Sequence, residues 1–232
     1  DWYENELNKD IPLTKKKEGL LIGEKTPTYS YRKECAQKIF NYSKDLKLIW
    51  IFRDPVKRAF SNYLHAIKVG NEIRSFKYSV ENEEKRIKKN IFKGYLERGK
   101  YIYQVKRFLE FFDISQMHFI LFEDLILNQK NVLAELMNFL QCENDINFKK
   151  IPHSNKTKLP KYPLIRFGSV KLFGGNSIPT KAIHKINLSL NKLSPNKKFQ
   201  LDKNLEKNLR NYFLPFNDDL SKLTNLDLSI WS

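Results

Sequence analysis

LIWIFRDPVKRAFSNYLH, residues 48–65, is the stretch on which the reading of this chain turns. Its opening is apolar without interruption and rich in β-branched and aromatic residues, so residues 47–53 are expected to form a strand buried on both faces. Arg53 closes that strand. Asp54 suits a helix N-cap and Pro55 the first helical position, and the helix should run to about Val69, with Gly70 as its stop. In an open α/β sheet, ligands gather beyond the carboxyl ends of the strands, so Arg53 faces a candidate crevice. The amide groups opening the following helix should point the same way and favour an anion. Ser61, two turns along, would reach that anion only if it lay along the helix flank. The arginine offers charge and a planar fork, the serine a neutral hydrogen bond, a pairing suited to a phosphate monoester. Taken singly, each has an ordinary structural reading, as a salt-bridge partner and a surface hydroxyl.

Outward from this stretch, strands and helices alternate. A short strand is expected at 20–23, a helix at about 31–43, a charged surface helix at 79–90 and an amphipathic helix at 100–112. A second buried strand is expected at 118–123 and another amphipathic helix at 128–142. Residues 148–198, rich in Lys, Asn, Pro and Gly and poor in periodicity, read as a long excursion of loops within the same domain. A last long helix is expected at about 199–213, followed by a turn at Pro215 and a short helix. This alternation predicts an α/β fold of three layers, a parallel central sheet flanked by helices.

The chain has 232 residues and a formal net charge of +16. That excess favours anionic ligands of several kinds but names none of them. No apolar run approaches the ~20 residues of a membrane helix. The two cysteines, Cys35 and Cys142, make no disulfide framework, and the four histidines lack ligand spacing, so no metal is expected.

The opening stretch closely resembles the 3′-phosphate-binding segment of sulfotransferases that use 3′-phosphoadenosine-5′-phosphosulfate (PAPS). Arg53, Asp54, Pro55, Arg58, Ala59, Ser61 and Tyr63 fall on the family pattern. GEKTPTY (23–29) resembles a segment of glycosaminoglycan sulfotransferases, and RGKYIYQVKRFLEFF followed by FEDL resembles the middle of bacterial members. NKTK (155–158) and the closing LRNYFLPFNDDLSKL are similar to the family in the same order. The resemblance implies a single sulfotransferase domain over 1–232, of P-loop-NTPase-like sulfotransferase fold, with PAPS as sulfuryl donor and no metal.

Carried over by that resemblance, Arg53 and Ser61 would hold the 3′-phosphate of the cofactor. Lys25 would stabilise charge on the bridging oxygen and the departing phosphate. Arg98 and Tyr101 would contact the nucleotide. Lys197 or Lys198 would supply charge where the family has a glycine-containing phosphate loop. Thr26, Pro27 and Tyr29 would shape the loop on the acceptor side. Neither Glu24 nor His65 makes a convincing general base. The family's Lys-x-Gly-Thr loop for the 5′-phosphosulfate does not precede GEKTPTY, and we expect it to lie upstream of residue 1. LFGGNSIPTK (172–181) reads as a loop, not as a displaced phosphate cradle.

The implied acceptor is a hydroxyl of a carbohydrate or a small metabolite, with no nucleic-acid partner. The expected location is a bacterial cytoplasm in preference to a Golgi lumen. Two other readings compete: a kinase-like nucleotide enzyme of the same fold, and a basic polyanion-binding protein without catalysis. The first lacks a Walker-type lysine loop and paired metal-binding acids.

Overall fold

The computed structural model describes residues 21–142, 159–193 and 199–231. Two parallel strands, β1 (Leu48–Phe52) and β2 (Met117–Leu121), pair in register from Leu48 opposite Met117 to Phe52 opposite Leu121. The connection between them holds most of the helical layer: α2 (Pro55–Val69), α3 (Phe76–Glu81), α4 (Glu83–Lys89) and α5 (Tyr101–Leu109). Helix α1 (Cys35–Tyr42) precedes β1, and α6 (Phe122–Leu127) and α7 (Gln129–Leu140) follow β2. Then come α8 (Pro163–Phe173), α9 (Ile178–Leu193) and the long α10 (Lys203–Thr224).

Each boundary of α2 has a local cause. The Asp54 carboxylate accepts hydrogen bonds from the amides of Val56 and Lys57, and Pro55 occupies the first turn. Gly70 ends the helix at φ 81°, in the left-handed region that glycine enters at little cost. The apolar stripe of α5 (Ile102, Val105, Phe108) packs on β1, with the Phe108 ring edge-on to Trp50 at 5.1 Å. A second apolar cluster joins α2 to α3, to Tyr95 and to α10 through Val56, Ile67, Phe76 and Phe213. Phe216 packs against both clusters and joins them.

The structure departs from the sequence reading in five places. Strand β1 is buried on one face only: Trp50 and Phe52 are covered, while Ile49 and Ile51 are 45% and 53% exposed. Residues 21–23 form no strand, and Leu21 and Ile22 lie exposed. The loop excursion expected at 148–198 instead carries α8 and α9 within its described part, and the glycines of LFGGNSIPTK form the turn between them. Ser177 caps the second of these helices, its hydroxyl accepting from the Thr180 amide. Finally, α10 passes through Pro215 without a turn. The proline removes one helical donor, and burial of Phe213, Asn217 and Leu220 on the inner face carries the helix across it. The charged helix expected at 79–90 is two helices meeting at Asn82.

Candidate functional site

The parallel register brings the ends of β1 and β2 together, so Arg53 and Phe122 leave the sheet side by side. The Arg53 guanidinium lies over the Phe122 ring, 5.0 Å from its centroid, and has no ion pair among the described residues. Its backbone is fixed from below by the Tyr101 hydroxyl, which donates to the Arg53 carbonyl at 3.0 Å. The Tyr101 ring packs on Phe52 and Trp231.

The start of α2 does not offer the free amides that the sequence suggested. The amides of Val56 and Lys57 are bonded to Asp54 Oδ1, the Asp54 amide donates to Glu123, and Pro55 has no donor. The Asp54 carboxylate is fully buried, its other oxygen 3.3 Å from Arg210 and 3.6 Å from Lys57. A capping carboxylate already occupies the positive end of the helix. Any anion held at this edge must therefore be held by side chains.

Those side chains are arginines. Arg58, one turn into α2, donates to the Tyr95 carbonyl, while its Nε is buried and bonded to nothing. Burial pushes its pKa down; Tyr101 and Glu83 oppose that shift, and Arg53 adds to it. Arg98 lies over the rings of Tyr31 and Phe92 at 4.8 and 5.3 Å, and its Nε and Nη2 are buried without a partner. Its pKa is also lowered by burial, opposed by Tyr31 and reinforced by Arg58. Arg53, Arg58 and Arg98 thus form a chain of mutually repelling cations with three orphaned N–H groups. Each orphan costs about 1–3 kcal/mol, and an anion bonded there would relieve both orphaning and repulsion.

The segment carrying Arg98 is held tightly. The buried Glu83 carboxylate accepts the amides of Leu96 and Glu97, each at 2.7 Å. A Cβ on Gly99 would come within 2.9 Å of the Phe213 ring and 3.0 Å of Pro55, so glycine lets this turn rest against the start of α2. Gln104 donates to the Arg98 carbonyl at 2.9 Å.

The residues singled out from sequence are distributed unevenly about this cluster. Arg53 and Arg98 belong to it. Tyr101 is buried and its hydroxyl donates to the Arg53 carbonyl, so it positions the arginine. Ser61 is half-buried on α2, three residues beyond Arg58 and so on a shared flank, its hydroxyl making no hydrogen bond to a described residue. No contact joins it to Arg53 among the described residues. Lys25 is exposed in the irregular segment before α1, next to Thr26, whose hydroxyl donates to Glu24. His65 is exposed. Lys197 and Lys198 lie outside the described residues.

Sequence reasoning assigned no role to Arg58, Glu123 or Arg210. Arg58 stood within the quoted motif, and a charged residue one turn behind a strand-ending arginine was the available signal. Glu123 and Arg210 reach Asp54 across 69 and 156 positions of chain, a distance no local pattern spans. Among the described residues, no group of three or more His, Cys, Asp or Glu is placed to hold a metal ion. No described helix is long and apolar enough to cross a membrane.

Comparison with known proteins bears directly on this arrangement. A family model described as the sulfotransferase domain matches residues 35–164. The chain belongs to the sulfotransferase domain family. That match contains β1, β2 and all three arginines. The chain is 27% identical over 227 residues to human (Homo sapiens) heparan sulfate glucosamine 3-O-sulfotransferase 3B1, covering 97% of this chain and 52% of that protein. It is likewise 27% identical over 227 residues to human heparan sulfate glucosamine 3-O-sulfotransferase 3A1, covering 97% and 50%. The chain therefore spans about half the length of these curated relatives. Among solved structures, a sulfotransferase from Alicyclobacillus acidocaldarius superposes with a TM-score of 0.65 at 24% identity, over 92% of this chain and 70% of that one. This likeness supports the three-layer α/β sulfotransferase fold.

Proposed function

We infer that this sulfotransferase-family chain moves a sulfuryl group from PAPS to the hydroxyl of an acceptor, in the first instance a carbohydrate. One observation carries the reading: Arg58, whose buried Nε has no partner, acts electrostatically on both Arg53 at the strand end and Arg98, whose buried Nε and Nη2 have none. Such a site suits a doubly charged phosphate better than a sulfuryl ester or a carboxylate, because it offers several charge-assisted donors.

In this reading Arg53 and Arg58 hold the 3′-phosphate, with Ser61 closing on it from the helix flank. Arg98 neutralises charge further along the nucleotide. Lys25, on its exposed segment, meets the bridging oxygen. The acceptor oxygen bonds to sulfur as the bridging S–O bond breaks. The electron pair leaves with the 5′-phosphate of the nucleotide, and the hydroxyl proton passes to a base or to solvent. Such a transfer depends on in-line placement and charge stabilisation more than on covalent help from the protein. The carbohydrate acceptor rests on the activity for which the human relatives are named. A bacterial cytoplasm remains the proposed location, consistent with Cys35 and Cys142 both being free.

Calorimetry of the full-length protein with 3′-phosphoadenosine-5′-phosphate tests the reading. Binding is expected, and Arg53→Ala should weaken it roughly tenfold to a hundredfold, the value of a lost charge-assisted phosphate contact. Ser61→Ala should cost less, about tenfold. No nucleotide binding, with salt-sensitive binding to heparin retained, would replace this reading with that of a polyanion-binding protein.

A further inference from the structure

The helical pair α8–α9 is built inside out. Its buried residues in the described part are Arg166, Ser169, Thr180 and Asn187, all polar. They are hydrogen-bonded within the pair and to α2: Asn187 clamps the Tyr162 backbone, accepting from its amide at 2.7 Å and donating to its carbonyl at 2.8 Å. Thr180 donates to the Ser169 carbonyl, and Arg166 donates to those of Thr180 and Lys68. Phe167, Val170, Ile183 and Leu188 are half-buried, and the remaining large apolar side chains of the described part are outside. Leu164, Ile165, Phe173 and Ile186 are exposed, and at the tip Leu172 and Ile178 are 78% and 84% exposed. Single exposed apolar residues are ordinary, but a row of them over a polar interior is not.

Charge follows the same outline. From Leu159 to Leu193 there are six Lys and Arg residues and no Asp or Glu. Lys171, Lys181 and Lys185 are exposed beside the apolar tip. A second copy of this chain is a poor occupant, because pairing two such faces would set lysines against lysines. A soluble polyanion would meet the lysines but leave Leu172, Phe173 and Ile178 in water. A bilayer with anionic headgroups answers both halves of the surface.

We propose that the α8–α9 hairpin docks the protein on an anionic lipid surface. Leu172, Phe173 and Ile178 enter the boundary between headgroups and acyl chains, and Lys171, Lys181 and Lys185 meet the lipid phosphates. The hairpin is seated on the far end of α2: a Cβ on Gly70 would lie 2.7 Å from Val170 and 3.1 Å from the Arg166 carbonyl. The 15 residues of α2 separate this end from Arg53 by roughly 22 Å. Docking would therefore leave the strand-end cluster open to solutes, and the inference stands independently of the sulfuryl-transfer reading.

The test is cosedimentation of the full-length protein with vesicles of phosphatidylcholine alone or mixed with phosphatidylglycerol, at about 0.1 M salt. The wild type should pellet with mixed vesicles and far less with neutral ones. Replacing Lys171, Lys181 and Lys185 together by Gln should lower the partition coefficient about a hundredfold, from about fivefold per lysine. Replacing Leu172 and Ile178 together by Ser should lower it at least about tenfold at unchanged charge. Circular dichroism verifies that both variants fold, and nucleotide binding should match the wild type. A Leu172→Trp variant reads insertion without removing an apolar group, through quenching by brominated acyl chains. Failure to pellet with mixed vesicles, pelleting unchanged by the serine pair, or a tryptophan that brominated lipid does not quench would each overturn the proposal. So would dimerisation that the serine pair abolishes while vesicles go unbound.

Discussion

Replacing Asp54 separates two jobs that one side chain performs. Its Oδ1 accepts the amides of Val56 and Lys57 at 2.9 and 3.0 Å, and its Oδ2 lies 3.3 Å from Arg210. Val56 is buried, so in Asp54→Ala its amide would lose its partner where water cannot replace it, at about 1–3 kcal/mol. Lys57 is exposed, and water would satisfy its amide nearly without cost. The ion pair adds less than a buried pair usually does. Arg210 also donates to the Trp231 carbonyl at 2.6 Å and to Glu206 at 2.7 Å, so it would not be stranded. About 1 kcal/mol is a fair value for that contact. Asp54→Ala should therefore lose about 2–4 kcal/mol. Asp54→Asn keeps an oxygen cap and should lose about 1 kcal/mol. Urea unfolding monitored by far-ultraviolet circular dichroism measures both. Equal losses in the two variants would refute the division of labour, and a loss below about 0.5 kcal/mol for alanine would refute the cap itself.

Glu72 carries the pH dependence. Burial works against its charge, but the Arg74 amide, Lys93, Arg86 and the Tyr95 hydroxyl hold its pKa below the ordinary value. A carboxylate depressed in the fold stabilises it above the unfolded pKa, and that contribution is lost as pH falls through the folded value. Glu72→Gln should thus cost about 3 kcal/mol near neutrality, and its deficit should shrink in acid; unfolding curves across pH 3–7 should show the wild type converging on the variant. Gly99→Ala should destabilise by about 1–3 kcal/mol, because Phe213 and Pro55 leave no room for a methyl group, and thermal unfolding reads this directly. Arg58→Lys should fold yet bind 3′-phosphoadenosine-5′-phosphate roughly tenfold more weakly in calorimetry, since an ammonium cannot reach both the Tyr95 carbonyl and a phosphate.

The stretch from β1 to Gly70 was legible because its signals are local. A capping aspartate, a proline at the first turn and a stop glycine each act within a few residues. Helices α8 and α9 escaped notice because glycine, proline, lysine and asparagine are frequent across 148–198 and the fully buried positions of the pair, Arg166, Ser169, Thr180 and Asn187, are polar. Pro215 misled in the opposite direction, since tertiary burial of its neighbours outweighed one missing donor. The place of Arg53 at the strand end was legible, and so was the Asp54 cap that takes up the Val56 and Lys57 amides. The use of the Asp54 amide was not, because it depends on Glu123, which arrives from the end of β2. The position of Tyr101 in its segment was visible in the sequence, and its burial was not.

Trp231 has a consequence for the order of events during synthesis. Its indole donates to Glu123, its carbonyl accepts from Arg210, and its ring lies against the tyrosine that pins Arg53. The edge of the sheet is thus completed by a residue more than two hundred positions past the first described one. A nascent chain whose residue 231 is still inside the ribosomal tunnel would carry β1, β2 and Arg53 without the clasp that backs them. Order at the strand ends should therefore appear late, once residue 231 has left the tunnel, and not grow as β1 and β2 emerge.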